Sequence, residues 1–331
     1  MSVAPIMQIA VCSDANYLRH ALVMLRSLLA WHRSEELCVH LVVSPDVGDE
    51  ALEPIDRDLR PLGLDVRVLR IPVETNASLP AHRLFGRGAW YRLLLPSMLP
   101  DIECALYLDC DLIVCASLRA VWDLELGRAL VAAADNPLHP HLDRRWLRQL
   151  GPVPARDYFN SGVMLLDLAG LRREHWQERF LRCVRQAEVP MPYADQDVLN
   201  ALLHERRARL PRRYNLQSSY FELLPFELGL SSAELRELIQ SPAVVHFTAT
   251  NKPWKPDSTH PGRELYRHHA EQRPGPPPAL DLSNLGLLRW QYHRRGSQKL
   301  LLRLRRRLAA GLHRRYAALA AAWEGISGRG G

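Results

Sequence analysis

From Met7 to about Phe247, short runs of Val, Ile and Leu alternate with longer stretches in which apolar residues return every three or four positions. A brief run that is apolar throughout reads as a strand covered on both faces, whereas a 3.6-residue period reads as a helix with one buried face. The pattern predicts strands at Gln8–Cys12, Val39–Ser44, Val66–Ile71, Ala105–Leu108, Ala129–Ala134, Gly162–Leu166 and Ala243–Phe247. Between them it predicts helices at Tyr17–Trp31, Asp49–Leu62, Trp90–Met98, Leu168–Gln186, Gln196–Leu203 and Ala233–Ile239. This alternation is the layout of an α/β domain built on a mostly parallel sheet. No internal repeat is found.

The segment Arg273–Pro278, Arg-Pro-Gly-Pro-Pro-Pro, can neither continue a helix nor enter a sheet interior. The chain is therefore expected to divide into a body of residues 1–272, a Pro-rich linker of residues 273–282 and a tail of residues 283–331. In the tail Leu301, Leu304, Leu308 and Leu312 recur at helical spacing, while Lys299, Arg303, Arg306 and Arg307 fall on other faces. Charge sharpens the division: residues 282–331 hold 11 Lys or Arg against one acid, a balance of +10, so residues 1–281 carry −3 of the total of +7. A basic amphipathic helix of this kind suits an anionic membrane surface, where each cation contributes about 1 kcal/mol of attraction. Nucleic acid is not expected as a partner, since the tail has no aromatic platform and no recognised nucleic-acid fold. The plainer alternative is a helix that packs its Leu stripe on the body and leaves its Arg side chains in water.

The 331 residues are 47% hydrophobic and 24% charged, which suits a globular core and excludes disordered, collagen-like and disulfide-scaffold classes. No run reaches the ~18 apolar residues that span a bilayer, and the first residues lack a signal-peptide layout. A cytoplasmic location follows as the expectation, with the tail placing the protein peripherally on the inner face of a membrane. The six Cys include no Cys-x-x-Cys pair, and Cys12, Cys38, Cys104 and Cys110 sit in strand-like runs, so they read as small buried hydrophobes. Of the 43 cationic residues only Lys252, Lys255 and Lys299 are lysines, and two of these share one short segment.

Candidate chemistry begins at Leu106-Tyr107-Leu108-Asp109-Cys110-Asp111, an apolar run ending in two carboxylates. If the strand continues through them, Asp109 and Asp111 project to one side, about 6 to 7 Å apart at the backbone, and can share a divalent cation. Ligands bind at the carboxyl ends of strands in parallel α/β sheets, where this pair would lie. A polar turn after a buried strand is the other reading. His246 ends the run Ala243-Val244-Val245-His246-Phe247; two carboxylates with one imidazole suit a borderline-hard ion such as Mn²⁺ with positions left for phosphate oxygens. Lys252 would add a point charge for phosphate. Ser13-Asp14-Ala15-Asn16, Tyr158-Phe159-Asn160-Ser161-Gly162 and Asp195-Gln196-Asp197 place further polar groups at strand or helix ends, where capping alone would also explain them.

Taken in order, Ile9 to Tyr17, Leu106 to Asp111, Phe159 to Val163, Asp195 to Asn200 and His246 to Trp254 resemble glycosyltransferase family 8, in particular its bacterial lipooligosaccharide and lipopolysaccharide galactosyl- and glucosyltransferases. The resemblance covers residues 7 to about 256. It implies a GT-A nucleotide-sugar-binding fold and Mn²⁺-dependent transfer of galactose or glucose from UDP-galactose or UDP-glucose, with retained configuration, to a saccharide or glycolipid acceptor. It further implies Asp109, Asp111 and His246 as metal ligands, and Cys12, Asp14 and Asn16 around the uridine and ribose. Arg92 would reach the donor, Lys252 the diphosphate, and Asn160, Asp195 and Gln196 the transferred sugar, with Cys110, Ser161 and Ala249 lining the same donor site. Departures are Ala249 where a Gly is frequent, Ala15 for an acid and Ser161 for an Ala.

Retention allows a covalent intermediate or attack by the acceptor on the face the phosphate leaves. Gln196 is a poor nucleophile, which favours same-face attack and leaves Asp195 as the alternative. A haloacid-dehalogenase-type phosphatase would need its Asp-x-Asp in the first strand and a later acidic pair, which this chain lacks. A self-glycosylating initiator and a non-catalytic scaffold of the same fold are the remaining rivals. The acceptor side is expected in loops such as Asn136–Tyr158 and Tyr214–Leu230.

Overall fold

The computed structural model describes residues 5–82, 86–137, 153–186, 191–248 and 250–294. The chain forms two compact units, Met1–Leu282 and Ser283–Gly331. In the second, residues 285–294 are helical; the Leu301–Leu312 stripe and its cations lie outside the described residues, as does Ala249.

The first unit carries a seven-stranded sheet in the order β3-β2-β1-β4-β7-β6-β8. Its strands are β1 (Met7–Ser13), β2 (Leu37–Val43), β3 (Asp65–Arg70), β4 (Cys104–Leu108), β6 (Val131–Asp135), β7 (Phe159–Asp167) and β8 (Arg207–Arg209). The first four lie parallel, β7 runs antiparallel to both β4 and β6, and β8 is parallel to β6. One strand of seven is thus reversed, and the expected mostly parallel α/β sheet is present. Every residue of β2 is buried, as a strand covered on both faces requires, whereas the edge strand β3 is largely exposed and carries Asp65, Arg67 and Arg70.

A second, three-stranded sheet has the order β5-β10-β9, formed by β5 (Leu112–Val114), β9 (Leu216–Gln217) and β10 (Val244–His246). It corrects the expectation of one continuous strand through the acidic pair. β4 ends at Leu108 and β5 begins at Leu112 in the other sheet, so Asp109-Cys110-Asp111 is the step between sheets and strand alternation does not align its carboxylates. Both runs flanking the pair are apolar, and the sequence pattern has no signal for the switch.

Helix Leu18–Leu29 buries Leu18, Ala21, Leu22, Leu25 and Leu28, the spacing that predicts it. The expected helix at Leu168–Gln186 is two, Leu168–Arg173 and Trp176–Gln186, broken where His175 takes a left-handed backbone (φ 52°). Asp167 caps the first by accepting from the Gly170 N–H at 2.7 Å, and the Trp176 indole N–H holds the second by donating to the Leu93 carbonyl at 2.9 Å. Helix Arg263–Ala270, unanticipated in the sequence, packs against Leu18–Leu29. Among the described residues no helix is long and apolar enough to cross a membrane.

Candidate active site

The carboxyl end of β4 meets three other elements. Because β7 is reversed, its first residues lie at that end, and the Asp109 N–H donates to the Gly162 carbonyl at 2.8 Å. β10 pairs antiparallel with β5, His246 opposite Leu112, and the Phe247 N–H donates to the Asp111 carbonyl at 2.9 Å. Helix Asp195–Leu203 is pinned to β7 by Asn200, whose side-chain amide accepts from the Phe159 N–H at 2.8 Å and donates to the Phe159 carbonyl at 2.9 Å, as a neighbouring strand would. Its N-terminal Ala194 is buried with φ 47°, a strained backbone at the start of the acidic turn.

Asp109, Asp111 and His246 come together with one potential ligand atom each, all within 4.8 Å of one another. His246 Nε2 lies 3.5 Å from Asp109 Oδ2 and 3.3 Å from Asp111 Oδ1. Gly162 is required here: a Cβ built on it would lie 2.1 Å from His246 Cε1 and 2.7 Å from Asp109 Oδ2. The Lys252 ammonium reaches the Asp111 carboxylate and the Phe247 carbonyl. Burial works to raise the Asp111 carboxyl, but Lys252 and His246 overcome it and hold Asp111 well below the usual carboxylate range. Two oxygen donors and an imidazole nitrogen fit a divalent metal ion with an incomplete protein shell.

The neighbouring carboxylates differ. Arg92, in the 3₁₀ segment Gly88–Leu94 rather than an α-helix, spans the site. Its Nη2 lies 3.0 Å from Asp109 Oδ1, its Nε lies 3.0 Å from Asp195 Oδ2, and its Nη1 donates to the carbonyl and hydroxyl of Ser161 at 2.9 and 3.1 Å. Its guanidinium also sits 4.8 Å from the Tyr107 ring centre, and the Tyr107 hydroxyl donates to Asp109 Oδ1 at 2.6 Å. Burial pushes Asp195 up to about 6, opposed by Arg92, while the Ser161 hydroxyl donates to its carboxylate at 3.1 Å. Burial likewise pushes Asp197 up to about 7; it accepts from the Tyr158 hydroxyl at 2.6 Å and the Tyr193 N–H at 2.9 Å. Between them the Gln196 carbonyl oxygen is occupied by two donors, the Ser161 N–H at 3.1 Å and the Asn160 amide at 3.0 Å.

At the end of β1, the Cys110 thiol donates to the Cys12 carbonyl at 3.2 Å, joining the first strand to the acidic step. Burial raises both thiols far above the ordinary range, so they are neutral. Asp14 accepts from the N–H groups of Asn16 and Tyr17 at 3.0 and 3.1 Å, closing the turn before helix Leu18–Leu29 rather than capping the helix itself, and Asn16 is exposed beside it. Trp254 stacks on His20 with centroids 3.7 Å apart, and the His20 ring meets the Tyr266 hydroxyl at 2.6 Å. This anchors the segment that carries Lys252, whose Nζ lies 5.7 Å from the Trp254 ring centre.

Asp109, Cys110, Asp111, Arg92, Asn160, Ser161, Asp195, Gln196, His246 and Lys252 are thus joined through these contacts, and Cys12 reaches them through Cys110. Asp14 and Asn16 stand at the neighbouring strand end. Sequence reasoning missed Tyr107, Tyr158, Asp197 as a buried acid, and Asn215. The last lies in Tyr214–Leu230, expected to be an acceptor loop, whereas its first residues lead into β9 behind His246. A buried polar residue in a short irregular segment has no periodicity to reveal it.

A family model described as "Glycosyl transferase family 8" matches residues 8–258. General stress protein A of Bacillus subtilis (strain 168) is 27% identical over 270 residues, covering 80% of this chain and 93% of that protein. Lipopolysaccharide 1,2-glucosyltransferase of Escherichia coli (strain K12) is also 27% identical over 270 residues, covering 81% of this chain and 78% of that protein. Among solved structures, the galactosyltransferase LgtC in complex with donor and acceptor sugar analogs superposes with a TM-score of 0.71 at 26% identity, over 82% of this chain and 98% of that one. With its GT-A-like sheet, its Asp-Asp-His group and a match over three quarters of its length, the chain belongs to glycosyl transferase family 8.

Proposed function

We propose that the protein transfers galactose or glucose from the corresponding UDP-sugar to a saccharide acceptor of lipopolysaccharide type, with Mn²⁺ as cofactor and with retention at the anomeric carbon. The observation that carries the reading is the convergence of Asp109, Asp111 and His246 at the end of β4, with the Lys252 ammonium alongside. Two of the similar proteins are a lipopolysaccharide glucosyltransferase and a galactosyltransferase held with donor and acceptor sugar analogs, which supports the substrate class.

A bound divalent ion at this group would supply electrostatic stabilisation of the departing diphosphate. Asp111 is kept ionised to hold it beside Asp109, and Lys252 adds a second positive charge for the leaving group. Cys12, Asp14 and Asn16 would hold the nucleoside, and Asn160, Ser161, Asp195 and Gln196 the sugar, with Arg92 fixing two of the carboxylates between them. The Gln196 carbonyl oxygen, saturated by two donors, is unavailable for attack on carbon. Asp195 is fastened by Arg92 and Ser161. Both observations favour attack by the acceptor on the face the phosphate leaves, the leaving phosphate taking the acceptor's proton. The basic tail would hold the enzyme at the cytoplasmic face of an anionic membrane beside a lipid-linked acceptor.

The test is UDP release from UDP-galactose and from UDP-glucose, with and without Mn²⁺, by the wild type and by Asp111→Asn. Metal-dependent release from one donor, reduced at least about 100-fold by the substitution, is the expected result. Equal release without metal, or by the variant, would overturn the metal reading. Thermal stabilisation by UDP with Mn²⁺ distinguishes a strict need for acceptor from a fold without this chemistry.

A further inference from the structure

Behind the metal-ligand group runs a string of buried amide side chains whose orientations are fixed by backbone donors. The Gly162 N–H donates to one terminal atom of Asn160 at 2.9 Å, so that atom is the oxygen. The Asn215 terminal atom 2.8 Å from it must then be the NH₂, a donor. That leaves the Asn215 oxygen facing His246 Nδ1 at 2.9 Å. An unprotonated Nδ1 would set two acceptors against each other where neither meets water, since Asn215 is fully buried and His246 is 3% exposed. Nδ1 therefore carries a proton and donates to Asn215, which leaves Nε2, between Asp109 and Asp111, as the nitrogen that can be given to a metal ion. The other end of the string is equally determined: the Ser161 N–H donates to the Gln196 oxygen, which also accepts from the Asn160 NH₂.

We propose that Asn215 is a positioning residue that holds His246 in the Nδ1-protonated tautomer and so makes Nε2 a ready metal ligand. The proposal rests on the reading of Asp109, Asp111 and His246 as a metal site. It places the 3₁₀ segment Arg212–Asn215, which leads into β9 and has no ligand of its own, in control of metal affinity. It also ties the imidazole to Asn160 and Gln196 through one hydrogen-bonded chain, so the sugar side and the metal side share a buried support. Outer partners of metal-bound histidines typically account for about 10- to 100-fold in affinity.

The experiment uses the full chain and two substitutions. Asn215→Leu keeps the branching and the number of heavy atoms but offers no acceptor; Asn215→Asp restores an acceptor for Nδ1–H while losing the donor to Asn160. Calorimetric titration with Mn²⁺ is expected to show binding weakened about 10- to 100-fold in the Leu variant and largely recovered in the Asp variant. The metal-free wild type, labelled with ¹⁵N-histidine and assigned by difference from His246→Asn, is expected to show a proton at Nδ1 of His246. Three outcomes would overturn the proposal: a folded Leu variant with wild-type affinity, an Asp variant as weak as the Leu variant, or an Nε2–H tautomer in the wild type. The tautomer measurement decides the matter even if the Leu variant does not fold. A wild type that binds no Mn²⁺ at all defeats the underlying metal reading, and is distinguishable because tautomer and affinity are read separately.

Discussion

Two acidic groups stand side by side in this site and behave in opposite ways. Asp111 lies against Lys252 and His246, and these partners, the Lys252 ammonium foremost, outweigh burial and hold it ionised far below neutral pH. Asp195 and Asp197, at the start of one helix, are pushed up to about 6 and about 7 because burial outweighs the donors around them. The same carboxylate is thus poised either to meet a cation or to change its proton occupancy near neutrality, and the deciding difference is whether its partners outweigh burial: Lys252 and His246 do so at Asp111, Arg92 alone does not at Asp195, and Asp197 has only neutral donors. Arg92 bridges the two regions, touching Asp109 on one side and Asp195 on the other.

The sharpest way to break the first region without touching a charge is Gly162→Ala. The new methyl group would collide with His246 and Asp109. Mn²⁺ affinity, titrated calorimetrically, should fall by at least about 100-fold, with an overpacking loss of about 1–3 kcal/mol in urea melts. Unchanged affinity would mean that the group tolerates a displaced imidazole.

Cutting the bridge itself comes next. Arg92→Met leaves Asp109 and Asp195 without their buried cation and should cost about 3–5 kcal/mol near pH 8. Without Arg92 the Asp195 carboxyl moves above its wild-type value of about 6, so at pH 5 it is protonated and the penalty should shrink, and melts at pH 5 and pH 8 test the assignment together. A penalty equal at both values would remove Asp195 from the account.

Asp197→Asn isolates the second region. With a folded pKa of about 7, above the unfolded value, Asp197 contributes stability that is complete in acid and lost as pH rises through 7. The neutral variant lacks this loss. Its stability relative to wild type should therefore improve from pH 5 to pH 8, by roughly 2–4 kcal/mol. A difference independent of pH would show that Tyr158 and Tyr193 hold the carboxylate as firmly as a cation does.

The smallest expected effect belongs to Ser161→Ala. The serine hydroxyl stabilises the ionised form of Asp195, so its removal should raise that pKa by up to about one unit. If the Asp195 carboxylate is required, the acid limb of kcat/KM lies near pH 6 in the wild type and moves upward in the variant, with less than about a threefold loss at pH 8. An unmoved limb would assign it to another group.

Much of this was legible in the chain. The apolar runs placed β1, β2, β3, β4, β6, β7 and β10 to within a few residues, because strands buried on both faces leave continuous hydrophobic segments. The acidic step, the Asn-Ser-Gly start of β7 and the Asp-Gln helix start were visible as polar groups interrupting that pattern, and their order pointed to the family. Three things were not legible. β8 and β9 are two or three residues long, too short for any period. The break at His175 has no Gly or Pro to mark it. The carboxylates of Asp109 and Asp111 face one ligand position because the chain changes sheets between them and β10 pairs with the far side, an effect of pairing partners distant in sequence.

By itself, then, the sequence determined which residues can carry charge and where the chain turns to present them, since both depend on local composition and period. The tertiary structure decided which carboxylates are ionised, which nitrogen of His246 holds a proton, and why Gly162 has no side chain. Those properties depend on neighbours brought from β7, β9 and β10, whose burial and hydrogen bonding exist only once the two sheets have met.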